Sequence, residues 1–517
     1  MTERFDAVVI GAGHNGLVCA TLLAQKGQSV LLLEANDRVG GAAVTREFAD
    51  GFRVSSAAHY LYQLQPAVVR SINLEPPAAS PPLRTTVLSG SGTPVSYRGG
   101  DVTGVSAADA QEFRLFYRQM TRFATLLSRH LNARPPRLGG GGGRDKLELL
   151  KLGFDVRRLG RSDMREFLRL IGMNMRDELV ERFASPMLRG GLALDAVLGT
   201  HLGPRSPSSL LTYLYRLAGG AGEVTRFKGG MGALTGTMAE LATQAGVDIR
   251  TGVRVQQVVV ENGRVTGVRT TAGDAFDTFK VVSSVDPKST VLDLVGAPHF
   301  ETRFVHRVNQ LRGKGNVAKL HLALRELPRI QGLNAKELSD RLLIAPDDDY
   351  VERAFNPAKY GEFSNEPVIE LSFETLTDPT LAPAGMHVLS ANVQYAPYDL
   401  KGGWTGAARS RFTDRTLDVL SSYMPNLDSL IGASELLTPV DLEREFHLPG
   451  GHWHHVELAL DQFMFVRPVA GAAQYRLPVD GLWLCGAGAH PGGGVSGAPG
   501  RNAARAILAR EKLRWRS

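Results

Sequence analysis

Residues 5–41, FDAVVIGAGHNGLVCATLLAQKGQSVLLLEANDRVGG, hold the pattern that most limits what this chain can fold into. The run from Phe5 to Ile10 is short, apolar and β-branched, as a strand buried on both faces requires. Gly11, Gly13 and Gly16 follow in G-x-G-x-x-G spacing. The first allows a tight turn, the second lets backbone approach a ligand, and the third lets a helix pack closely on the strand. The pattern predicts a helix from about His14 to Lys26, with Leu17, Ala20, Leu23 and Ala24 inward and Gly27 ending it. A second apolar strand, SVLLLE, finishes at Glu34. The glycines alone are a weak signal, but strand, glycines, helix, strand and terminal acid in that order are a strong one. In such a unit the free N–H groups of the helix N-terminus face a pyrophosphate, and the acid accepts from a ribose. His14, Asn15 and Ala35 fall beside those contacts.

The next residues select the dinucleotide. ANDRVGG places Arg38, Gly40 and Gly41 in E-x-x-x-R-x-G-G, followed by Ala42. A simple nicotinamide site does not need a second glycine pair. An extended FAD does, with an arginine near its phosphates. This pattern resembles the FAD-binding N-terminus of the phytoene desaturase and amine oxidase superfamily.

The chain returns to that cofactor twice. Residues 229–287 read as a glycine turn, a helix from about Leu234 to Gln244, and two β-rich runs joined by Asn262-Gly263, a strong hairpin signal. The resemblance implies the Val255 main chain against the adenine, and Ser284, Val285 and Asp286 on a loop beside the cofactor. An ordinary strand valine is the alternative for Val255. The second return is LWLCGAGAHPGGGVSGAPGRNAARAILA, residues 482–509, an apolar strand entering a glycine-rich loop with a helix beginning near Pro499. A helix N-terminus there would stabilise negative charge on a reduced flavin ring. GAGAHPGGGVSGAPG, with Gly486, Ala487, Gly494, Val495 and Ser496 as candidate contacts, resembles the C-terminal motif of carotenoid desaturase-like proteins. Within them it is most similar to the phytoene dehydrogenase-related branch named for a pyridine nucleotide-disulfide oxidoreductase domain. GAGHNGL, GGAAVT, GGMGAL and LDQFMFVRP carry the same likeness, which therefore spans most of the chain.

Composition narrows the chemistry further. Cys19 and Cys485 are the only cysteines, both in apolar stretches, with neither C-x-x-C nor a partnership visible in sequence. Disulfide reduction is disfavoured despite the branch name, and a reducing compartment is expected. Net charge is +7, too diffuse to indicate nucleic acid without a recognition motif. No secretory leader or membrane-length apolar run is evident. GGGGG at 139–143 follows ARPPRL rather than a strand and reads as a flexible loop.

Two inserts separate the cofactor segments. FRLFYRQMTRFATLLSRHL and KLELLKLGFDVRRLGRSDMREFLRLIGM have helical apolar spacing and are basic. Contact with a membrane surface and the outer faces of packed helices are both open readings. In GNVAKLHLALRELP, alternation puts Lys319, His321, Ala323 and Arg325 on one face of a strand. The resemblance implies that Lys319 matches an amine oxidase lysine bonded through water to flavin N5; a strand lysine reaching solvent is the alternative. His452, His454 and His455 lie close together, but no carboxylate or thiolate completes a metal set, so no metal site is assigned. His455 and His59 are candidates to face the flavin, with satisfied structural histidines the alternative.

These readings predict an α/β protein. A discontinuous Rossmann-like FAD-binding domain (1–75, 225–300 and 455–517) carries a mixed-sheet substrate domain with a helical cap (76–224 and 301–454). The expected chemistry is hydride transfer from a hydrophobic, isoprenoid- or lipid-like substrate to non-covalently bound FAD, with oxygen or a quinone as electron acceptor. Alternatives are an amine oxidase-like enzyme, an FAD-dependent isomerase and an FAD-stabilised interaction protein. The expected location is cytoplasmic, with possible contact at the periphery of a membrane and an oligomeric state left open.

Overall fold

The first apolar run forms the strand Ala7–Ile10 at the centre of a five-stranded parallel sheet. The order is Leu482–Leu484, Val281–Ser283, Ala7–Ile10, Val30–Leu33 and Val247–Arg250, every neighbouring pair parallel. The computed structural model describes residues 3–90, 92–139, 141–220 and 223–514. Strands from both ends and the middle of the chain thus meet in one sheet. Their apolar side chains are buried because helices His14–Ala24, Met231–Gln244 and Ala498–Arg514 cover them. A four-stranded sheet, ordered Glu3–Arg4, Ala275–Asp277, Arg264–Thr270 and Val255–Glu261, adjoins this layer. Asn262 and Gly263 both have positive φ in its hairpin turn, the conformation that the Asn-Gly pair supplies at low cost.

An eight-stranded sheet forms the second body, with the order Ile431–Leu437, Val317–Leu324, His387–Gln394, Val368–Phe373, Arg341–Ile344, Thr85–Val87, Val95–Arg98 and Asp101–Thr103. It is mixed: only Arg341–Ile344 and Thr85–Val87 pair in parallel. Alternation sorts its side chains. Leu320, Leu322, Ile369, Leu371, Leu389 and Val393 pack in a core with Phe412 and Leu420 of helix Gly406–Tyr423. The alternate positions include Lys319, His321, Glu370, Ser372, Ser390 and Asn392, and of these Glu370 and Asn392 line the chamber described below.

Helices Ala107–Leu131, Gly143–Arg157, Arg161–Gly172, Met175–Arg182, Pro186–Val197 and Ser209–Gly220 make the helical part of the first insert. The glycine run leads straight into a helix whose N-cap is Gly142; Gly140 lies outside the described residues. The structure also corrects the separation of the cysteines. Cys19 and Cys485 are both free, fully buried and within hydrogen-bonding reach, because the first helix crosses the end of strand Leu482–Leu484. Burial and the neighbouring thiol push the Cys485 thiol well above its ordinary range, which leaves it a poor nucleophile.

Candidate active site

In an open parallel sheet, ligands bind beyond the carboxyl ends of the strands. Here Gly11, Glu34, Ser284 and the Cys485-Gly486 turn follow four of the five strands directly. A cleft of about 360 Å³ opens there. Gly11, Gly13, His14, Asn15, Glu34, Ala35, Gly40, Gly41, Ala42, Val255, Ser284, Ala487 and His455 all line it. Gly40 N–H donates to Ala12 O at 2.9 Å, which pins the second glycine pair against the first loop.

The cleft fits an extended dinucleotide on several independent grounds. Helix His14–Ala24 starts at Gly13 with no side-chain cap, so its first N–H groups are free at the cleft. A Cβ on Gly13 would meet nothing within 4 Å, which leaves the cradle open on the ligand side. A Cβ on Gly16 would lie 2.0 Å from Gly11 O, so that glycine serves helix packing instead. Glu34 is oriented by two main-chain donors, Ala12 N–H at 2.7 Å and Asn36 N–H at 2.9 Å. Burial raises its carboxyl above the ordinary range, against the pull of those donors. His455 is half-buried, and its buried Nδ1 is unpartnered, an orphaned polar atom on the cleft wall.

Five of the cofactor residues selected from the sequence line neither the cleft nor the chamber beside it. Arg38 is half-exposed and bonded to Asp37 at 2.8 Å; with a carboxylate next to it in sequence, its guanidinium stays outside the cleft. Asp286 turns inward and accepts from Lys288 N–H at 2.7 Å, and burial holds its carboxyl up at about 6. Ser496 accepts from Ala498 N–H at the start of the last helix. Gly486, like Gly16, is a packing position, since a Cβ there would lie 2.2 Å from Ser284 O. Gly494 and Val495, by contrast, line the second, smaller chamber.

That chamber has a volume of about 80 Å³. His14, Ala42 and Trp453 line both it and the cleft, so the two adjoin. Its wall is mostly apolar or aromatic, with a polar floor of His59, Glu370 and Asn392. The floor is a cross-strand row. Lys319 stands opposite Asn392, and Asn392 opposite Glu370, on three adjacent strands. Lys319 Nζ lies 2.7 Å from His59 Nδ1 and donates to Asn392 Oδ1 at 3.1 Å. His59 Nε2 lies 3.2 Å from Glu370 Oε2, and Asn392 donates to the same oxygen at 2.6 Å. Arg341 donates to Glu370 Oε1 at 2.5 Å and pairs with Asp195 at 2.7 Å.

The row is fully buried, and this decides its electrostatics. Lys319 is 1% exposed, so it does not reach solvent. Burial lowers its pKa to about 7, and Glu374 and Glu370 oppose that shift. Burial and the neighbouring Lys319 push His59 to about 3. Burial would raise Glu370, but Arg341 and His59 hold its carboxyl well below the usual range. Both His59 nitrogens are engaged, whereas His455, pushed to about 3 by burial and Arg467, keeps one free.

Sequence reasoning did not select Glu370, Asn392, Ser390, Arg341 or Arg467. For the strand residues a signal existed: polar side chains at every second position of otherwise apolar runs, Lys319/His321, Glu370/Ser372 and Ser390/Asn392. Arg467 is wholly buried and donates to the carbonyls of His454, Val456 and Ala487, fixing the loop that carries His455. Of the other two histidines of that loop, His452 Nε2 lies 3.4 Å from Glu457, whereas His454 donates to His452 Nδ1 only through its main-chain N–H and lines the chamber with its own Nδ1 unpartnered. Among the described residues, no group of three His, Cys, Asp or Glu side chains is arranged to hold a metal ion.

Comparison with known proteins agrees with this architecture. Residues 16–508 match the family described as flavin containing amine oxidoreductase. Pyridine nucleotide-disulfide oxidoreductase domain-containing protein 2 of Rattus norvegicus is 35% identical over 545 residues, covering 98% of this chain and 94% of its own. A limonene dehydrogenase polypeptide of Castellaniella defragrans is 27% identical over 549 residues, with 98% and 94% covered. Among solved structures, cyclohexylamine oxidase of Brevibacterium oxydans superposes with a TM-score of 0.59 at 15% identity, covering 99% of this chain and 100% of its own.

Proposed function

The chain belongs to the flavin containing amine oxidoreductase family and is an FAD-dependent oxidoreductase, and on that premise we propose that it dehydrogenates a carbon of a lipophilic, isoprenoid- or lipid-like substrate held in the chamber beside the cleft. FAD, when bound, would supply the hydride acceptor at N5, with oxygen or a quinone as the final electron acceptor. The observation that carries this reading is the chamber itself. It adjoins the cleft and is mostly apolar, and its one carboxylate, Glu370, is already saturated by Arg341, His59 and Asn392. A cationic amine would find no free counter-charge there, whereas an apolar substrate loses nothing by entering. Similarity to a limonene dehydrogenase supports the same class.

In this reading the chain's own groups bind, orient and keep water out. The free N–H groups at the start of helix His14–Ala24 hold the pyrophosphate, Glu34 takes a ribose hydroxyl, and the Val255 main chain borders the adenine. His455 presents Nδ1 to the cofactor. Residues 1–75, 225–300 and 455–517 hold FAD and, through His59, Tyr60, Tyr62 and Val495, also supply much of the chamber wall; residues 301–454 add Glu370, Asn392, Trp453 and His454 to it. Lys319 positions His59 and Asn392 beneath the substrate.

The test is anaerobic titration of the purified, FAD-loaded protein with a panel of terpenoid and polyene hydrocarbons and of amines, with product analysis. Bleaching of the flavin band by a hydrocarbon with formation of a new double bond is expected. Bleaching by amines alone would overturn the substrate class, and an isomerised product without bleaching would replace dehydrogenation with isomerisation. The amine reading keeps one specific support, the buried Lys319.

A further inference from the structure

Helices Gly143–Arg157 and Arg161–Gly172 stand outside both cavities. The only fully buried side chain of the first is Asp145. Its Leu147, Leu150 and Phe154 recur at three- and four-residue spacing and form one solvent-facing stripe, with Leu150 71% and Phe154 61% exposed. At 3.6 residues per turn, Arg144, Lys151 and Arg158 fall along one edge of that stripe and Lys146 and Arg157 along the other. The acids of this helix are engaged by the protein: Gln474 donates to Asp145 at 2.8 Å, His130 lies 3.2 Å from Asp155, and Glu148 pairs with Lys151 at 3.0 Å. The second helix adds Leu168, 60% exposed, beside Arg161 and Arg165. Among the described residues, Arg144, Lys146, Arg157, Arg161 and Arg165 are exposed and make no ion pair. An apolar stripe edged on both sides by unpaired cations has two unmet needs at once: apolar contact and anions.

We propose that this helix pair docks on a lipid bilayer that carries anionic headgroups. Leu147, Leu150 and Phe154 enter the headgroup–acyl boundary while the flanking cations meet lipid phosphates. Charge decides between candidate occupants. A second copy of this chain, at +7, would bring like charge against like, whereas an anionic leaflet attracts each cation near its surface. The proposal extends the lipophilic substrate class without resting on turnover, so its failure and the failure of that reading can be told apart.

Sedimentation of the FAD-loaded full chain with phosphatidylcholine vesicles, with and without phosphatidylglycerol, tests it. Binding to the phosphatidylglycerol vesicles, weakened by added salt, is expected. Leu150→Glu/Phe154→Glu should weaken that binding by at least ~10-fold with an unchanged circular dichroism spectrum, since both side chains are exposed. Arg144→Gln/Lys146→Gln/Arg157→Gln should weaken it by a similar factor and reduce the salt dependence. Wild-type protein that stays in the supernatant, or a Glu double variant that sediments like wild type, overturns the proposal. So does light scattering that shows a dimer converted to a monomer by the double variant, which would assign the stripe to a second copy.

Discussion

Lys319 Nζ lies 2.7 Å from Nδ1 of His59, yet only His59 of the two lines the chamber. The lysine therefore acts on that space through its neighbours. Burial lowers its pKa to about 7, and in the proposed reaction its role is one of position and proton balance.

Lys319→Met should leave FAD bound, because Lys319 does not line the cleft. It should slow anaerobic flavin reduction by ~10-fold or more. The pH profile of that step, with an inflection near pH 7 in the native protein, should flatten. Stopped-flow absorbance with an identified substrate measures both, and an unchanged profile would remove Lys319 from the reaction.

Gly13 and Gly16 should separate when each is changed to Ala. At Gly13 the φ of −66° and open surroundings suit alanine, so the fold should hold while the methyl group intrudes on the cofactor. FAD affinity should fall by ~10-fold or more, about 1.4 kcal/mol. At Gly16 the methyl group meets the Gly11 carbonyl, and stability should drop by about 1–3 kcal/mol. Fluorescence titration and urea denaturation, run on both variants, distinguish the two effects.

Glu370→Gln should destabilise the protein by about 3–5 kcal/mol, because it takes one negative charge from beside the fully buried Arg341. Asp195 remains paired with Arg341 and keeps the loss finite. Chemical denaturation with FAD in excess measures it, and a loss below ~1 kcal/mol would mean that the network is more hydrated than its burial indicates.

Stability should depend on pH in two windows. Lys319 has a folded pKa of about 7 against 10.5 for the free side chain, so between these values the unfolded chain holds a proton that the fold does not. Stability then rises with pH by up to ~1.4 kcal/mol per unit above pH 7, until buried tyrosines and Cys485 oppose it in alkali. Lys319→Met should abolish that rise. On the acid side, His59 and His455 stay neutral to about pH 3 while the unfolded imidazoles take protons from pH 6.5 downward. Stability should therefore fall as pH drops below 6.5, and Asp286, held up at about 6, offsets part of the loss. Urea midpoints across pH with saturating FAD would expose a flat response in either window.

The cofactor half was legible because its signals are local. A turn that needs Gly11, a helix start that needs Gly13 and a strand that ends in Glu34 are properties of neighbouring residues. The last helix and the Asn262-Gly263 hairpin were readable for the same reason. Arg38 shows where local spacing stops: the motif position is present, but the adjacent Asp37 holds its guanidinium in solvent.

The polar floor was not legible, although its two-residue alternation was written in three strands. The alternation says which side chains share a face, but not which strands lie side by side or whether that face is buried. Lys319, Asn392 and Glu370 become neighbours only through the antiparallel register of strands far apart in sequence. The meeting of Cys19 with Cys485 depends likewise on long-range packing. The sequence by itself determined the dinucleotide unit, since backbone conformation at glycine and helix ends is settled within a few residues. Only the tertiary structure decided the chamber, because burial and charge balance arise from contacts that no short stretch contains.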